Sequence, residues 1–414
     1  MINKKQITAL VASAMAFGGA AQAADVEVTH WWTSGGEAAA VKVFADSFNA
    51  LGGGDRWIDG AIAGSGGVAR PIIASRITGG DPMGATQLNH GRQAEDFIEA
   101  GLMLELTDVA QRENWKGFVR PSGLYDSCDY DGKIFCVPVN IHSWQWMWIS
   151  LPAFQKAGVP APKDWHEFVA AAPALRNAGI VPLALGNQSW QYGGMFDVLL
   201  VGLGGIDTWK RINIDRDADF ARGSKMREVW QAFGDARELS VGSNVSEWNE
   251  ATNLVITHKA GAQIMGDWAQ GEFSVAGYTA GNEYDCLPGL GINEVLSTGG
   301  DAFYFPATGD ADLVRAQKKM ASMMVSKDVQ VGFNLAKGSL PIRGDVDLSA
   351  ANLCMKKGLK ILDNLDNVIP SGDQLLTQDT LGQMGDLIAE FWEDTSITPA
   401  EAQERWADIL ASAE

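Results

Sequence analysis

The stretch DVEVTHWWTSGGEAAAVKVFADSFNAL, residues 25–51, contains two local patterns that decide the fold class. Val26 and Val28 alternate with acidic residues, which is typical of a half-buried β-strand. Beyond the glycines, apolar residues recur at i, i+3, i+4 and i+7 from Val41 to Phe48, which predicts one buried stripe of a helix. The two adjacent tryptophans therefore lie at a predicted corner between a strand and a helix.

The alternation of strand and helix continues as far as Gly101. The pattern predicts, in order, a strand near Trp57 to Ala63, a helix from Val68 to Ile77, a strand near Ala85 to Leu88, and a helix from Gln93 to Ala100. This order favours an α/β fold with a mostly parallel sheet covered by helices on both faces. Ligands of such sheets lie beyond the carboxyl ends of the strands, where HWWTSGGE would be.

Four cysteines are present, and two of them frame a predicted hairpin. Cys128 and Cys136 are symmetric about Gly132 in CDYDGKIFC, so a hairpin would place them opposite each other and we expect a disulfide. Cys286 and Cys354 either pair with each other or remain buried thiols. Neither pair has the CxxC spacing of redox or zinc sites.

The first 23 residues have the pattern of a secretory signal peptide, with two lysines, an uncharged run and the small-residue site AQA. The uncharged run is shorter than the ~20 residues that span a bilayer, and no later apolar run reaches that length. No cysteine for lipid attachment follows it. We therefore expect a periplasmic protein that does not insert into the membrane.

The length and charge of the chain narrow the possible partners. At 414 residues we expect two or three structural units, with two lobes as the first choice. Helix and strand patterns resume beyond residue 150 and predict the second lobe. The formal charge of -19 disfavours nucleic acids and anionic membrane surfaces as partners.

The motifs of several enzyme classes are absent from the sequence. It contains no GxxxxGK phosphate loop, no HExxH zinc helix and no GxSxG nucleophile elbow. The five histidines, at positions 30, 90, 142, 166 and 258, lack metal-ligand spacing. These observations predict a protein without enzymatic activity, cofactor or metal. Paired carboxylates of a glycosidase come together only in the fold, so that alternative stays open.

Tryptophan provides the positive signal, with 15 tryptophans against 6 tyrosines. Trp31, Trp32, Trp190 and Trp268 lie at predicted loop corners beside carboxylates, amides or glycines. Indole faces can stack on the C–H faces of a pyranose, and each aromatic contact adds roughly 1 kcal/mol beyond burial. Charged side chains can then make strong hydrogen bonds to the sugar hydroxyls.

The other tryptophans are interpreted as packing residues. Trp144, Trp146 and Trp148 repeat at every second position, which places them on one face of a strand near a lobe boundary. Eight more have no polar corner: Trp57, Trp115, Trp165, Trp209, Trp230, Trp248, Trp392 and Trp406.

Six segments of the chain, in this order, resemble one family. They are WWTSGGE, DGKIFCVPVN, KDWHEFVAAAPALRNAGIVPLALGNQSW, GAQIMGDWAQGEF, GGDAFYFP and LAKGSLPIRGDV. Together they resemble the ABC-transporter sugar-binding proteins of extracellular solute-binding family 1, which include maltose-binding protein. The resemblance covers essentially the whole mature chain and is greatest to the glucose-binding subgroup. It implies a maltose-binding-protein-like fold of two α/β lobes, with a hinge and a sugar in the cleft.

The resemblance also implies the residues that contact the sugar. They are Trp31, Trp32, Glu37, Arg92, Trp190, Asp267, Trp268, Asp301 and Lys337. Glucose-binding relatives carry a lysine where Arg92 stands, and a histidine in a late loop where this chain offers Ser371, Asp373 and Gln374. The implied ligand is therefore a monosaccharide or short oligosaccharide rather than glucose in particular.

The resemblance places residues 24–146 and 300–325 in the N-terminal lobe, and residues 150–296 and 326–414 in the C-terminal lobe. The implied partners are a small-molecule sugar and the membrane subunits of an ABC permease, and the receptor is expected to be a monomer.

Two alternatives remain. The first is a receptor of the same architecture for another solute, such as a polyamine or a metal ion. The second is a secreted glycosidase whose catalytic acids would be Glu37, Asp267 or Asp301.

Overall fold

The structure of the chain, a computed structural model, describes residues 22–413. The predicted signal peptide, residues 1–23, falls almost entirely outside this range. The strands are β1 (Asp25–His30), β2 (Arg56–Ala61), β3 (Ala85–Asn89), β4 (Asp129–Tyr130), β5 (Lys133–Ile134), β6 (Cys136–Pro138), β7 (Trp146–Ser150), β8 (Val181–Ala184), β9 (Ala260–Ile264), β10 (Tyr284–Pro288), β11 (Leu296–Ser297), β12 (Asp301–Tyr304) and β13 (Val368–Ile369).

Helices cover both faces of the sheets. They are α1 (Gly35–Ala50), α2 (Ser65–Gly79), α3 (Glu95–Glu99), α4 (Thr107–Arg112), α5 (Trp115–Phe118), α6 (Ser122–Asp126), α7 (Leu151–Ala157), α8 (Trp165–Asn177), α9 (Ser189–Asn213), α10 (Ala218–Ala221), α11 (Ser224–Leu239), α12 (Trp248–Ile256), α13 (Ala269–Val275), α14 (Ala311–Met324), α15 (Lys327–Lys337), α16 (Leu353–Leu362), α17 (Gln378–Glu393) and α18 (Pro399–Ser412). Short 3-10 helices span Arg92–Ala94, Gly289–Gly291, Leu365–Asn367 and Gly372–Gln374. None of these described helices is both long and apolar enough to cross a membrane.

The corner between β1 and α1 forms as the sequence predicts. The Ser34 side chain accepts a hydrogen bond from the backbone N–H of Glu37, so it caps the first turn of the helix. Val41, Phe44 and Phe48 are buried along the predicted stripe. The Phe44 ring stacks on Phe333 of α15 at a centroid distance of 4.2 Å. The stripe therefore fixes α1 between the sheet and a helix that comes almost 300 residues later.

The chain builds two main sheets, each with one reversed strand. The first sheet has the order β2-β1-β3-β12-β6, and the second has the order β10-β7-β9-β8. β1, β2 and β3 are parallel, whereas β12 is antiparallel to β3 and β6, and β7 is antiparallel to β9 and β10. The sequence predicts mostly parallel sheets, and β7 and β12 are the strands that depart from this prediction. β7 follows β6 of the first sheet, and β12 follows β10 of the second sheet and the short β11. Each therefore starts at the edge where its neighbours end.

Three segments pass side by side between the sheets, and we call them the crossing segments: residues 139–145, 298–300 and 338–342. The Ile141 N–H donates to the Leu340 carbonyl at 2.7 Å, and the His142 N–H donates to the Gly299 carbonyl at 2.9 Å. The predicted lobe boundaries remain a prediction. Helix α15, which they assign to the second lobe, packs against α1 beside the first sheet.

Both pairs of cysteines are joined by disulfides. The predicted Cys128–Cys136 bridge closes the hairpin of β4 and β5 onto β6. The Cys286–Cys354 bridge, which the sequence left open, ties β10 to α16 across a sequence separation of 68 residues. It therefore closes a far larger loop than the first bridge, whose separation is 8 residues.

Removal of the long-range disulfide should destabilise the protein more than removal of the short one. A bridge restricts the unfolded chain more when the closed loop is longer, so the variant C286A/C354A should lose about 4 kcal/mol of unfolding free energy and C128A/C136A about 2.5 kcal/mol. Urea denaturation of both variants and the wild type measures these losses. Equal losses, or a larger loss for the short loop, would contradict the expectation.

Candidate functional site

A cavity of about 420 Å³ opens where the two sheets face each other beside the crossing segments. This volume lies within the range of small-molecule sites. Its lining includes Trp31, Trp32, Glu37, Arg70, Asn89, His142, Trp144, Trp190, Gly194, Trp248, Trp268, Asp301, Lys337 and Ser371. The lining thus combines indole rings with charged side chains from both sheets, and we refer to this cavity as the cleft.

Three indoles form a corner in the cleft. The ring centroids of Trp144 and Trp268 are 4.8 Å apart with planes at 86°, and those of Trp144 and Trp190 are 5.7 Å apart at 62°. Gly194 of α9 makes this arrangement possible, because a Cβ atom at Gly194 would lie 2.2 Å from the Trp144 ring. Gly266 has the same relation to Trp268, with a separation of 2.0 Å. The two glycines therefore provide the space in which the indoles lie.

The adjacent tryptophans of the opening stretch have different surroundings. Trp32 borders the cleft but is only 2 % exposed, and its ring lies 5.7 Å from Phe303 and 5.3 Å from Phe333. Trp31 is partly exposed and lies against Gly66 at the start of α2. Trp32 is thus mainly a core residue that supports the cleft wall, whereas Trp31 presents its indole to the cleft.

A buried ion pair lies at the inner end of the cleft. Lys337 Nζ, at the end of α15, lies 2.6 Å from Glu37 Oε1 in the first turn of α1. The side chains are 1 % and 9 % exposed. The ammonium group also lies 5.1 Å from the Trp32 ring centroid, a cation–π geometry. The ion pair fixes both groups where a ligand hydroxyl can reach them.

Asp301 is held by several hydrogen bonds at the start of β12. Gln87 Nε2 donates to Oδ1 at 2.6 Å, Asn140 Nδ2 donates to Oδ2 at 2.9 Å, and His142 Nε2 lies 2.7 Å from Oδ2. Although burial opposes ionisation, the charge and hydrogen bond of His142 outweigh it and hold the pKa of Asp301 well below its usual range. Oδ1 keeps capacity for one further donor, so Asp301 can accept a hydrogen bond from a ligand.

Asp267 lies behind His142 rather than in the cleft lining. Its Oδ1 is 2.6 Å from His142 Nδ1, and its Oδ2 accepts the Ser143 backbone N–H at 3.0 Å. Burial raises the pKa of Asp267, and the positive His142 opposes this rise. Asp267 was predicted to contact the sugar, but the structure gives it the position of a support for His142.

The structure does not bring Arg92 to the cleft. Its guanidinium pairs with Glu95 at 2.8 Å and is 41 % exposed, because residues 92–94 form a 3-10 turn that leads away from the end of β3. Arg70, which the sequence did not single out, lines the cleft instead and donates from Nε to the Gly66 carbonyl at 3.0 Å. In the late loop, Ser371 lines the cleft, whereas Gln374 donates to His90 Nδ1 at 2.9 Å.

The cleft also contains tryptophans that the sequence pattern indicates as packing residues. Trp144 precedes β7 and turns into the cleft, whereas Trp146 and Trp148 lie inside β7 and stack on each other at 5.7 Å. Trp248 lines the cleft beside Trp268. The period-two pattern was a correct signal for Trp146 and Trp148, but it cannot show that the strand starts after Trp144.

One group of described residues has donor atoms close enough to hold a metal ion: Asp285, Cys286 and Cys354. The two sulfurs are joined in a disulfide, so they are not thiolate ligands. This group therefore does not fit a metal.

The geometry defines a class of protein: two α/β units joined by three crossing segments, with a solute site between them. The chain belongs to the family of bacterial extracellular solute-binding proteins, whose pattern it matches over residues 30–330. A probable sugar-binding periplasmic protein of Rhizobium meliloti (strain 1021) is 38% identical over 365 residues, which are 87% of this chain and 86% of the relative.

The solved structures agree on the fold, and a more distant relative bears on the glucose subgroup. A bacterial solute receptor described as exclusive for β-D-galactopyranose, AcbH, has a TM-score of 0.77 and 18% identity, with 94% of this chain and 99% of that chain covered. It shows that the fold is the two-lobe α/β fold of such receptors. A glucose-binding protein of Saccharolobus solfataricus is 22% identical over 57% of this chain and 44% of the relative, which supports the glucose subgroup only weakly.

The buried ion pair provides a stability prediction. Substitution of Lys337 by Met leaves the Glu37 carboxylate buried without its cation, and it should lower the unfolding free energy by about 3 kcal/mol. The double variant E37Q/K337M removes both charges and should be clearly more stable than K337M alone. Denaturant unfolding of the three proteins measures the difference. A double variant less stable than K337M would contradict this account of the pair.

Proposed function

We propose that this chain is the periplasmic sugar-binding component of an ABC transporter, which binds a monosaccharide or short oligosaccharide in the cleft. The observation that carries the proposal is the corner of indoles facing ionised side chains in one cavity. The relative from Rhizobium meliloti, which aligns over most of both chains, is named a probable sugar-binding periplasmic protein. This name supports the same ligand class.

The chemistry of a pyranose suits this lining. Its C–H faces are apolar and its hydroxyl groups project around the rim, so it needs flat apolar surfaces and strong hydrogen-bonding groups together. The indoles of Trp144, Trp190 and Trp268 offer the first, and Asp301 and the pair of Glu37 and Lys337 offer the second. Trp31 adds an indole from the side of the first sheet.

The ligand is held by closure of two lobes, because the crossing segments form the connection between the sheets. The closed form gains contacts from both sides of the ligand, so binding shifts the population toward it. We place β12 and α14 with the first lobe, as the family resemblance implies, and α15 with them because it packs on α1. The membrane subunits of the permease then recognise the closed, loaded receptor, and the receptor acts as a monomer.

The positions of the carboxylates favour binding over hydrolysis. A glycosidase needs a general acid with a raised pKa next to the scissile bond. The pKa of Asp301 is lowered, Glu37 is engaged with Lys337, and Asp267 lies outside the cleft lining.

Incubation with labelled oligosaccharides distinguishes a receptor from a glycosidase. Stoichiometric recovery of intact sugar is expected, and release of shorter products would support the glycosidase.

The cations of the cleft argue against a polyamine as ligand. Lys337 and Arg70 both border the cavity, and like charges repel. A thermal-shift screen with monosaccharides, disaccharides and polyamines distinguishes a sugar receptor from a polyamine receptor, because a ligand that binds only the native state raises the unfolding temperature. A shift with spermidine and none with any sugar would replace the proposal by the polyamine receptor.

Loss of one indole of the cleft should weaken sugar binding. Trp268→Ala removes a stacking face and should reduce the affinity about tenfold, as measured by calorimetric titration with the sugar found in the screen. Trp392 is a matched control, because it is also partly exposed but stacks on Tyr192 outside the cleft lining. Trp392→Ala should leave the affinity unchanged. An equal sugar affinity of Trp268→Ala and Trp392→Ala would contradict the assignment of Trp268 to the sugar site.

Addition of a single methyl group at Gly194 should have a similar effect. Alanine favours a helix over glycine by about 1 kcal/mol, but at Gly194 its Cβ would meet the Trp144 ring and displace it. Gly194→Ala should therefore lower the sugar affinity. Gly79→Ala, in α2, is the control because no atom lies within 4 Å of the added carbon. An unaffected affinity in Gly194→Ala would show that Trp144 does not contact the sugar.

A further inference from the structure

His142 joins one carboxylate from each side of the cleft. Its Nε2 lies 2.7 Å from Asp301 Oδ2, at the start of β12 in the first sheet. Its Nδ1 lies 2.6 Å from Asp267 Oδ1, in the loop that follows β9 of the second sheet. His142 itself belongs to the first crossing segment. Both ring nitrogens are therefore engaged, and neither remains for a ligand.

We propose that His142, in its positively charged form, is a positioning residue that holds the Asp301 carboxylate at the cleft and ties the two sheets together through Asp267. The inference rests on the proposed function, since Asp301 is the ligand contact that His142 orients. It assigns to His142 a role in affinity although its nitrogen atoms do not touch the ligand.

The other charged groups near His142 do not replace its charge. Lys337 of α15 is paired with Glu37 of α1 at 2.6 Å. His90, at the end of β3, stays neutral because burial lowers its pKa to about 4. If His142 lost its proton, Asp267 and Asp301 would be two buried carboxylates without a cation of their own, which is a costly arrangement.

The charge state of His142 follows from this environment. Burial opposes protonation, but the carboxylates of Asp301 and Asp267 outweigh it and raise the pKa to about 9 from the ordinary 6.5. Because the folded-state pKa is raised, the stabilisation is complete below about pH 6.5 and is lost as the pH rises through about 9. At neutral pH the tie between the sheets is therefore charged.

Variants of Asp267 can distinguish a positioning role of His142 from direct contact of His142 with the ligand. It does not line the cleft, and the chain of contacts from it to Asp301 passes through His142. A change at Asp267 can therefore reach Asp301 through His142. If His142 acts by position, then variants of the two residues should be coupled rather than additive.

The experiment measures sugar affinity against pH in the full-length mature protein. The variants are His142→Gln, Asp267→Asn and their combination, and the control is His166→Gln at an exposed position of α8. Calorimetric titration at about pH 7 should show a loss of about tenfold or more for His142→Gln, since charge-assisted hydrogen bonds are removed. The affinity of the wild type and of the control should fall between about pH 7 and 10, whereas that of His142→Gln should stay nearly constant.

Two results would overturn the positioning role. One is a His142→Gln variant that keeps the affinity and pH profile of the wild type. The other is strict additivity of His142→Gln and Asp267→Asn. Failure of the wild type to bind any sugar would instead overturn the proposed function.

An NMR titration of the His142 ring in the wild type needs neither a variant nor a sugar. It should show proton loss near pH 9. Proton loss near the ordinary pH of about 6.5 would end the proposal even if His142→Gln does not fold.

Discussion

The inner wall of the cleft depends on buried charges that are paired across distant parts of the chain. Lys337 and Glu37 are separated by 300 residues, and His142 and Asp267 by 125. A buried charge without its partner costs several kcal/mol, so these groups are tolerated only when α1, α15 and the crossing segments assemble together. The contacts of His142 with Asp267 and Asp301 join the two sheets, and together with the Lys337–Glu37 pair they form the polar side of the binding site.

This pairing leaves few hydrogen-bonding positions for a ligand, and that restricts what can bind. Asp301 already accepts from Gln87, Asn140 and His142, so it offers a single well-oriented position at Oδ1. Groups held in this way lose little conformational entropy when a ligand arrives. The cleft is thus suited to a ligand with several hydroxyl groups in fixed directions rather than to a flexible apolar one.

Local features of the fold could be predicted from the sequence, and features that depend on distant contacts could not. The strand, cap and helix at residues 25–50 follow from periodicity and from Ser34, and the Cys128–Cys136 bridge follows from a short hairpin. The Cys286–Cys354 bridge and the reversed strands result from how the chain crosses between sheets, which no local pattern records.

The residues of the candidate site show the same contrast between what the sequence indicates and what only distant contacts decide. The ordered segments of the resemblance led to Asp301 and Lys337, and both border the cleft. His142 was not found, because a lone histidine in a crossing segment has no spacing signal until two carboxylates approach it. Arg92 was placed by analogy with a lysine, but a turn after β3 directs its side chain to Glu95 on the surface. Neighbouring backbone geometry therefore decides which side chains of a loop reach the cleft.

The two sides of the cleft contribute different chemistry, and this difference gives closure its specificity. Glu37, Asp301 and Lys337 belong to elements that pack with the first sheet, whereas Trp190 and Trp268 follow elements of the second. A ligand that stacks only on Trp190 and Trp268 would bind one side and would leave the population of the open form unchanged. A ligand that also satisfies the charged wall gains free energy only in the closed form. Closure therefore selects solutes with an apolar face and a polar rim.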